Sequence, residues 1–197
     1  MKAKIVNIDP MSFTDGPGIR TVIELGNMGE IELNPEETIE RVRKLRPFIG
    51  PDGGGITITG SIFNNINYVI ETCHIAHKAG FNTCIRTSFS DYKASEDLFK
   101  HIDLVIVDIN GIPLYNYGEL TDEELMNIHK AMNDLNEISK DVWIKQKIIK
   151  DKNDSFEYIS KFKKFIRMFD NISDVELISV DLSDEEMDKV IEVLNGV

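Results

Sequence analysis

The sequence is poor in cysteine, with two in 197 residues, Cys73 and Cys84. Two thiolates cannot supply the three or four ligands that iron–sulfur clusters take from cysteine. In a reducing cytosol these two residues are expected to be buried thiols and not a disulfide. The cysteine count therefore argues against both a cluster and a disulfide-stabilised fold.

Basic residues are also scarce, with 22 Lys and Arg against 34 Asp and Glu, a formal net charge of −12. Nucleic acids and anionic membranes need basic patches, so the acidic balance argues against both as partners. No apolar run reaches the length of a membrane span, and residues 1–5 lack the apolar segment of a signal peptide. We therefore expect a cytoplasmic protein with a single domain over residues 1–197, since 42% of its residues are hydrophobic.

What the chain does contain is an alternation of predicted strands and helices. The strands are predicted at 20–25, 56–59, 83–88, 104–109, 142–149 and 175–180. The helices are predicted at 34–46, 64–79, 95–101, 121–137, 154–169 and from 183 onwards. This alternation is typical of an α/β protein with a mostly parallel sheet and outer helices. A closed eight-unit barrel usually needs about 250 residues, so we predict a partial (β/α)6 TIM-like barrel. A flavodoxin-like doubly wound sheet is the alternative that periodicity alone leaves open.

The most distinctive stretch is the turn at residues 15–20, Asp-Gly-Pro-Gly-Ile-Arg, which leads into the first predicted strand. Gly16 and Gly18 permit positive φ or a close backbone approach, and Pro17 fixes φ between them. Two interpretations stay open at this point. The turn is either part of the scaffold alone or a retained binding surface, because ligand sites in barrels lie where strands end.

Several ordered stretches resemble the pyruvate formate-lyase activating enzymes, which belong to the radical S-adenosylmethionine superfamily and act on glycyl radical enzymes. These stretches are residues 15–20, 46–57, 79–84, 107–109 and 142–145. In that family the first loop and strand are followed by CxxxCxxC, which holds a [4Fe–4S] cluster. Here the strand is followed by residues 26–30, Gly-Asn-Met-Gly-Glu, without cysteine.

The other departures from the family pattern also fall on its chemistry. The GGEP motif, which receives the amino group of S-adenosylmethionine in the family, appears here as a segment beginning Gly60-Ser61. Arg86 stands where the family places an aspartate, and Asn110 replaces the lysine that follows Asp108-Ile109. We therefore expect no cofactor and no metal, although the family uses [4Fe–4S] and S-adenosylmethionine.

The resemblance implies a degenerate ligand-binding site at the strand ends, without catalytic residues. Its candidate residues are Asp15, Arg20, Gly60, Ser61, Arg86, Asp108 and Lys145. Neighbouring parallel strands lie about 4.8 Å apart. We therefore predict that Arg86 replaces a lost cation and pairs with Asp108, with Asp15 as the second candidate.

One helix face carries a second group that could suggest a metal site, Cys73, His74 and His77. A structural zinc site usually takes four ligands, and the sequence offers no further cysteine–histidine cluster. We therefore expect structural histidines.

The first functional hypothesis is a cluster-free pseudoenzyme relative of the activases, a binding or regulatory protein with a glycyl radical enzyme as candidate partner. The alternatives are a small-molecule or anion binding module at the strand ends, and an activase whose cluster loop was truncated or removed by engineering. The sequence does not separate a natural deletion from an engineered one.

Overall fold

The computed structural model describes residues 1–49, 54–109 and 121–195. The chain divides into two compact units. The first unit comprises Met1–Thr87 and Lys93–Ile106, and the second comprises Ser88–Tyr92 and Val107–Val197. The single domain over residues 1–197 stays a prediction, and each unit is described by itself.

The strands form one mostly parallel sheet. They are β1 (Ala3–Ser12), β2 (Arg20–Leu25), β3 (Ile31–Leu33), β4 (Gly55–Gly60), β5 (Asn82–Thr87), β6 (Leu104–Ile109), β7 (Val142–Ile149) and β8 (Ile172–Val180). The strand order is β3-β1-β2-β4-β5-β6-β7-β8. β1 pairs antiparallel with β2 and β3, whereas β2 with β4, β4 with β5, and β7 with β8 are parallel. The predicted α/β class and partial TIM-like barrel are confirmed.

Seven helices are described, and several begin at the residues that the sequence predicts. They are α1 (Pro35–Arg43), α2 (Arg46–Ile49), α3 (Ile66–Lys78), α4 (Glu96–Lys100), α5 (Asp122–Glu137), α6 (Phe156–Ile166) and α7 (Asp184–Asn195). Asn34 caps α1 and Thr121 caps α5, each in a reciprocal capping box with a glutamate three residues later. Such pairs satisfy backbone donors that a helix start leaves free. No helix in the described ranges is long and apolar enough to cross a membrane.

The first helix ends earlier than the sequence predicts. α1 stops at Arg43, and Pro47 lies inside the short α2, at its second residue. Proline is compatible with a first helical turn, because its missing N–H would have no intrahelical acceptor there. Pro47 therefore helps to start a second helix, and the predicted extension of the first helix to residue 46 is wrong.

Two strands, β1 and β3, lie where no strand was predicted. β1 buries Ala3, Ile5 and Ser12 only, so its ten residues show no sustained apolar alternation. It also contains Pro10, which argues against a strand in a sequence pattern. β3 has three residues, of which Leu33 alone is buried. The antiparallel edge of the sheet therefore depends on pairing with β2 more than on local sequence preference.

The core of the first unit lies between the sheet and the helices α1 and α3. Ile23, Ile58 and Ile85 are fully buried on neighbouring strands, and Val42 and Val69 are fully buried on the two helices. The side chains of β2, β4 and β5 that alternate with these isoleucines point to the other face. That second face carries Arg20 on β2 and Arg86 on β5.

Candidate functional site

The register of β2, β4 and β5 places the polar side chains of the first unit in ordered rows on one face. Toward the carboxyl ends of the strands the row is Glu24, Thr59 and Arg86. The rows below it are Val22, Thr57 and Cys84, and then Arg20, Gly55 and Asn82. The face therefore joins two arginines that lie 66 positions apart in the sequence (86 minus 20).

Arg20 is a buried anchor whose guanidinium donates hydrogen bonds to protein oxygens. Its Nε donates to Thr57 Oγ1 at 2.8 Å, and its Nη1 donates to the Pro17 carbonyl at 3.1 Å. Its Nη2 donates to the carbonyl oxygens of Ile56 at 2.6 Å and Asn82 at 3.2 Å. The side chain is 0% exposed. Burial lowers the pKa of Arg20 below its ordinary value, although nearby acidic groups oppose this effect. Arg20 thus ties the 15–20 turn to β4 and β5.

The glycines of the turn make room for this guanidinium. Gly16 has a φ of +118°, and a Cβ added there would lie 2.9 Å from Arg20 Cδ. Gly18 has a φ of +69°. Both conformations favour glycine, so the Gly-Pro-Gly motif is explained by the path of the chain around Arg20.

Asp15 and Arg86 form an ion pair inside the first unit. Arg86 Nη1 donates to Asp15 Oδ1, and Ser12 Oγ donates to Asp15 Oδ2 at 2.5 Å. The Asp15 carbonyl accepts from Thr57 Oγ1 at 2.6 Å. The Asp15 side chain is 8% exposed and that of Arg86 is 30% exposed. The second candidate partner of Arg86 is therefore in contact with it. Asp108 lies in the second unit, and its pairing with Arg86 stays a prediction.

Gly60 and Ser61 form the turn that leads from β4 toward α3. Gly60 has a φ of +83°, and a Cβ there would lie 2.1 Å from the Leu25 carbonyl oxygen. The Ser61 N–H donates to the same oxygen at 2.9 Å, and the Ser61 carbonyl accepts from Asn65 Nδ2 at 2.8 Å. These contacts give both residues a structural role in the turn.

The two remaining candidates, Asp108 and Lys145, lie in the second unit. Asp108 is half-buried near the end of β6. Lys145, in β7, is 6% exposed, and its Nζ lies 2.9 Å from Glu176 Oε2. The two residues are direct partners in the ladder between β7 and β8. Sequence reasoning missed Glu176, although its position in a strand following a lysine-bearing strand is compatible with such a pair.

His77 belongs to a hydrogen-bonded group with Asp103 and Thr83. His77 Nε2 lies 2.9 Å from Asp103 Oδ2 and 3.0 Å from Thr83 Oγ1. Asp103 Oδ2 also accepts from the Thr83 N–H at 2.8 Å. Within the described residues, no three His, Cys, Asp or Glu side chains are grouped to hold a metal ion. The contacts of His77 support the structural role that we expect for it.

Asp103 should make stability depend on acid pH. Its burial opposes ionisation, but hydrogen bonds from the Thr83 backbone and from His77 lower the pKa of Asp103 below its ordinary value of 3.8. A lowered folded-state pKa stabilises the protein above the unfolded value, and this contribution is lost as pH falls through the folded value. We expect the urea midpoint of Asp103→Asn to fall less steeply below about pH 4 than that of the unsubstituted protein. Asp97→Asn, an exposed carboxylate on α4, is the control, and parallel curves for both variants would contradict the prediction.

Several known proteins are similar to this chain in sequence and in fold. Pyruvate formate-lyase-activating enzyme from Clostridium pasteurianum is 29% identical over 192 residues, which cover 89% of this chain and 81% of that protein. The enzyme of the same name from Staphylococcus epidermidis is 25% identical over 203 residues, covering 90% and 81%. The chain is a relative of the pyruvate formate-lyase-activating enzymes. No family model matches it.

Two solved structures have a fold similar to that of this chain. A domain of pyruvate-formate lyase-activating enzyme from Bacteroides vulgatus has a TM-score of 0.62 at 16% identity, covering 73% of this chain and 94% of that one. A radical SAM methyltransferase from Sphaerobacter thermophilus also has a TM-score of 0.62 at 16% identity, covering 94% and 65%. At these identities the likeness concerns the fold alone.

The comparisons contradict the prediction that this relative of the activating enzymes uses no cofactor. The relatives that are named activating enzymes point to S-adenosylmethionine and to the [4Fe–4S] cluster, both of which the family resemblance implies. The prediction is therefore wrong. It relied on the absence of the cysteine motif, whereas the similarity to activating enzymes extends over about nine-tenths of the chain.

The two thiols of the chain nevertheless do not fit a cluster of that kind. Cys73 lies on α3 and Cys84 on β5, and both are buried free thiols. Burial raises the pKa of Cys84 to about 12 and also raises that of Cys73. Cluster ligands are thiolates, so burial opposes the form that iron binds. A cluster would need ligands other than these two thiols.

Proposed function

We propose that this chain is a pseudoenzyme relative of the activating enzymes, a binding or regulatory protein whose partner is a glycyl radical enzyme. The observation that carries the proposal is the ion pair of Asp15 with Arg86 inside the first unit. Two charged groups at the candidate ligand site are engaged with each other. A third, Arg20, donates to protein oxygens.

The partner in this proposal comes from the names of the relatives. The similar proteins from Clostridium pasteurianum and Staphylococcus epidermidis are activating enzymes of pyruvate formate-lyase. The match covers about nine-tenths of this chain and 81% of each relative, and this extent supports a shared partner. A cytoplasmic location belongs to the same proposal, since buried free thiols are compatible with a reducing compartment.

The test separates binding from activation. Pyruvate formate-lyase is immobilised and exposed to the chain, and retention is measured. In parallel, the two proteins are incubated anaerobically with S-adenosylmethionine and a reductant, and the glycyl radical is measured by electron paramagnetic resonance. The Clostridium pasteurianum enzyme serves as the positive control. We expect retention of the chain without a radical signal above background. Radical formation by the chain would overturn the pseudoenzyme, and absence of retention would overturn the partner.

A second candidate function is a small-molecule or anion binding module at the strand ends of the first unit. It is favoured by the position of Arg86 near the carboxyl end of β5 and by the 30% exposure of its side chain. Titration with inorganic phosphate, followed by the amide resonances of Thr59 and Arg86, distinguishes this function, because a pure partner-binding protein should show no saturable shift.

A further inference from the structure

In the described part of the second unit, one long edge of the strand β8 has no neighbouring strand. It is the last strand in the sheet order, and within the described residues its one strand neighbour is β7. None of its nine residues, all of which the structure describes, is buried. Five of the eight residues of β7 are buried by comparison. The apolar residues of β8 are therefore only half covered.

The backbone N–H and C=O groups of alternate β8 residues lie in a regular row along this edge. The Lys150 N–H donates to the Val180 carbonyl at 3.2 Å, so the backbone groups of Val180 face β7. Alternate residues of a strand direct their N–H and C=O groups to opposite sides. The backbone groups of Val175, Leu177 and Ser179 therefore point away from β7. An edge of this kind is a template for another strand.

The surface beside the first residues of β8 is acidic. Asp174 is exposed on β8, and a depression of about 390 Å³ beside the start of the strand is lined by Asp141 and Asp170. The other described residues that line it are Asn136, Ser139, Asn171, Ile172 and Ser173, with no lysine or arginine among them. Basic side chains of an added strand would meet opposite charge there.

We propose that the outer edge of β8 binds an extended segment of another protein, with basic side chains alternating with apolar ones. The basic side chains lie on the face of Asp174 and Glu176, and the apolar side chains lie on the face of Val175 and Leu177. Backbone hydrogen bonds supply affinity in this binding mode, and alternate side chains supply specificity. The inference goes beyond the proposed function and holds for any partner with such a segment.

A second copy of this chain fits the edge less well. Each copy carries a net charge of −12, and β8 itself contains Asp174 and Glu176 but no lysine or arginine. A second copy therefore does not supply the basic side chains that would complement Asp174 and the depression, and two acidic proteins repel each other. Self-association is therefore kept as an outcome of the test.

The probe is an eight-residue peptide of alternating lysine and valine, and the readout is amide hydrogen exchange by nuclear magnetic resonance. We expect the peptide to slow exchange at Val175, Leu177 and Ser179. Residues 176 and 178, whose N–H groups face β7, should change little. Two further peptides of the same sequence are N-methylated, one at every lysine and the other at every valine, so that each lacks the N–H donors of one edge. One of the two should lose most of this protection, because its methylated edge is the edge that faces β8. Equal protection by all three peptides would overturn strand addition.

Charge specificity is tested with two matched variants. Asp174→Lys should weaken binding of the lysine–valine peptide by about 3- to 10-fold and should strengthen binding of a glutamate–valine peptide. Asp188→Lys makes the same charge change on the exposed face of α7 and should leave both affinities within about 2-fold. Equal weakening by both variants would show nonspecific attraction to the acidic protein and would overturn the site. Concentration-dependent dimers in sedimentation, with the same protected amides and no peptide effect, would assign the edge to a second copy instead.

Discussion

Replacement of Arg20 by alanine is expected to lower the free energy of unfolding by about 3–5 kcal/mol. The side chain is fully buried and donates to four oxygen atoms on three segments of the first unit. Alanine leaves the carbonyls of Pro17, Ile56 and Asn82 without this donor, and buried acceptors without partners are costly. The measurement is the urea midpoint and slope by circular dichroism.

Two further variants make the Arg20 prediction specific. Arg20→Lys keeps the charge but replaces a planar fork of donors with one ammonium group, so we expect it to recover only part of the loss. Arg43→Ala removes an arginine of α1 that is 46% exposed and pairs with Glu40 in the preceding turn, a change that should cost less than about 1 kcal/mol. If Arg20→Ala destabilises the protein no more than Arg43→Ala, the anchor role is wrong.

Local sequence patterns were sufficient to predict the elements that depend only on residues close together in the sequence. Asn34 and Thr121 start α1 and α5 as expected, because a capping box lies within four consecutive residues. The apolar run of β6 was also placed correctly at Leu104–Ile109, since a strand covered on both faces is continuously apolar. These features do not require knowledge of distant partners.

The role of Arg20 could not be obtained in the same way. Its acceptors at Ile56 and Asn82 lie 36 and 62 residues away in sequence, and they meet Arg20 only through the parallel register of β2, β4 and β5. The sequence motif therefore indicated a candidate binding residue where the structure has an internal anchor.

The Asp15–Arg86 pair is expected to give the second large effect. Arg86→Ala should lower the free energy of unfolding by about 2–3 kcal/mol, below the value typical of fully buried pairs because Arg86 is 30% exposed. It leaves the charge of the Asp15 carboxylate, 8% exposed, without the guanidinium, whereas the Ser12 hydroxyl still donates to Oδ2. Asp15→Asn should cost less, because an amide keeps an oxygen for Ser12 and carries no charge that needs a partner.

A double-mutant cycle decides which aspartate is coupled to Arg86. Asp15→Ala with Arg86→Ala should show a coupling energy of about 1–3 kcal/mol, because residues that share an ion pair are not additive. The same cycle with Asp108→Ala tests the pairing first predicted from the sequence. Guanidinium groups offer several donors in a planar fork, so coupling to Asp108 would not exclude Asp15. Additive effects of Asp15→Ala and Arg86→Ala, within about 0.3–0.5 kcal/mol, would contradict the ion pair. They would also remove the observation that carries the proposed pseudoenzyme, because that observation is the ion pair of Asp15 with Arg86.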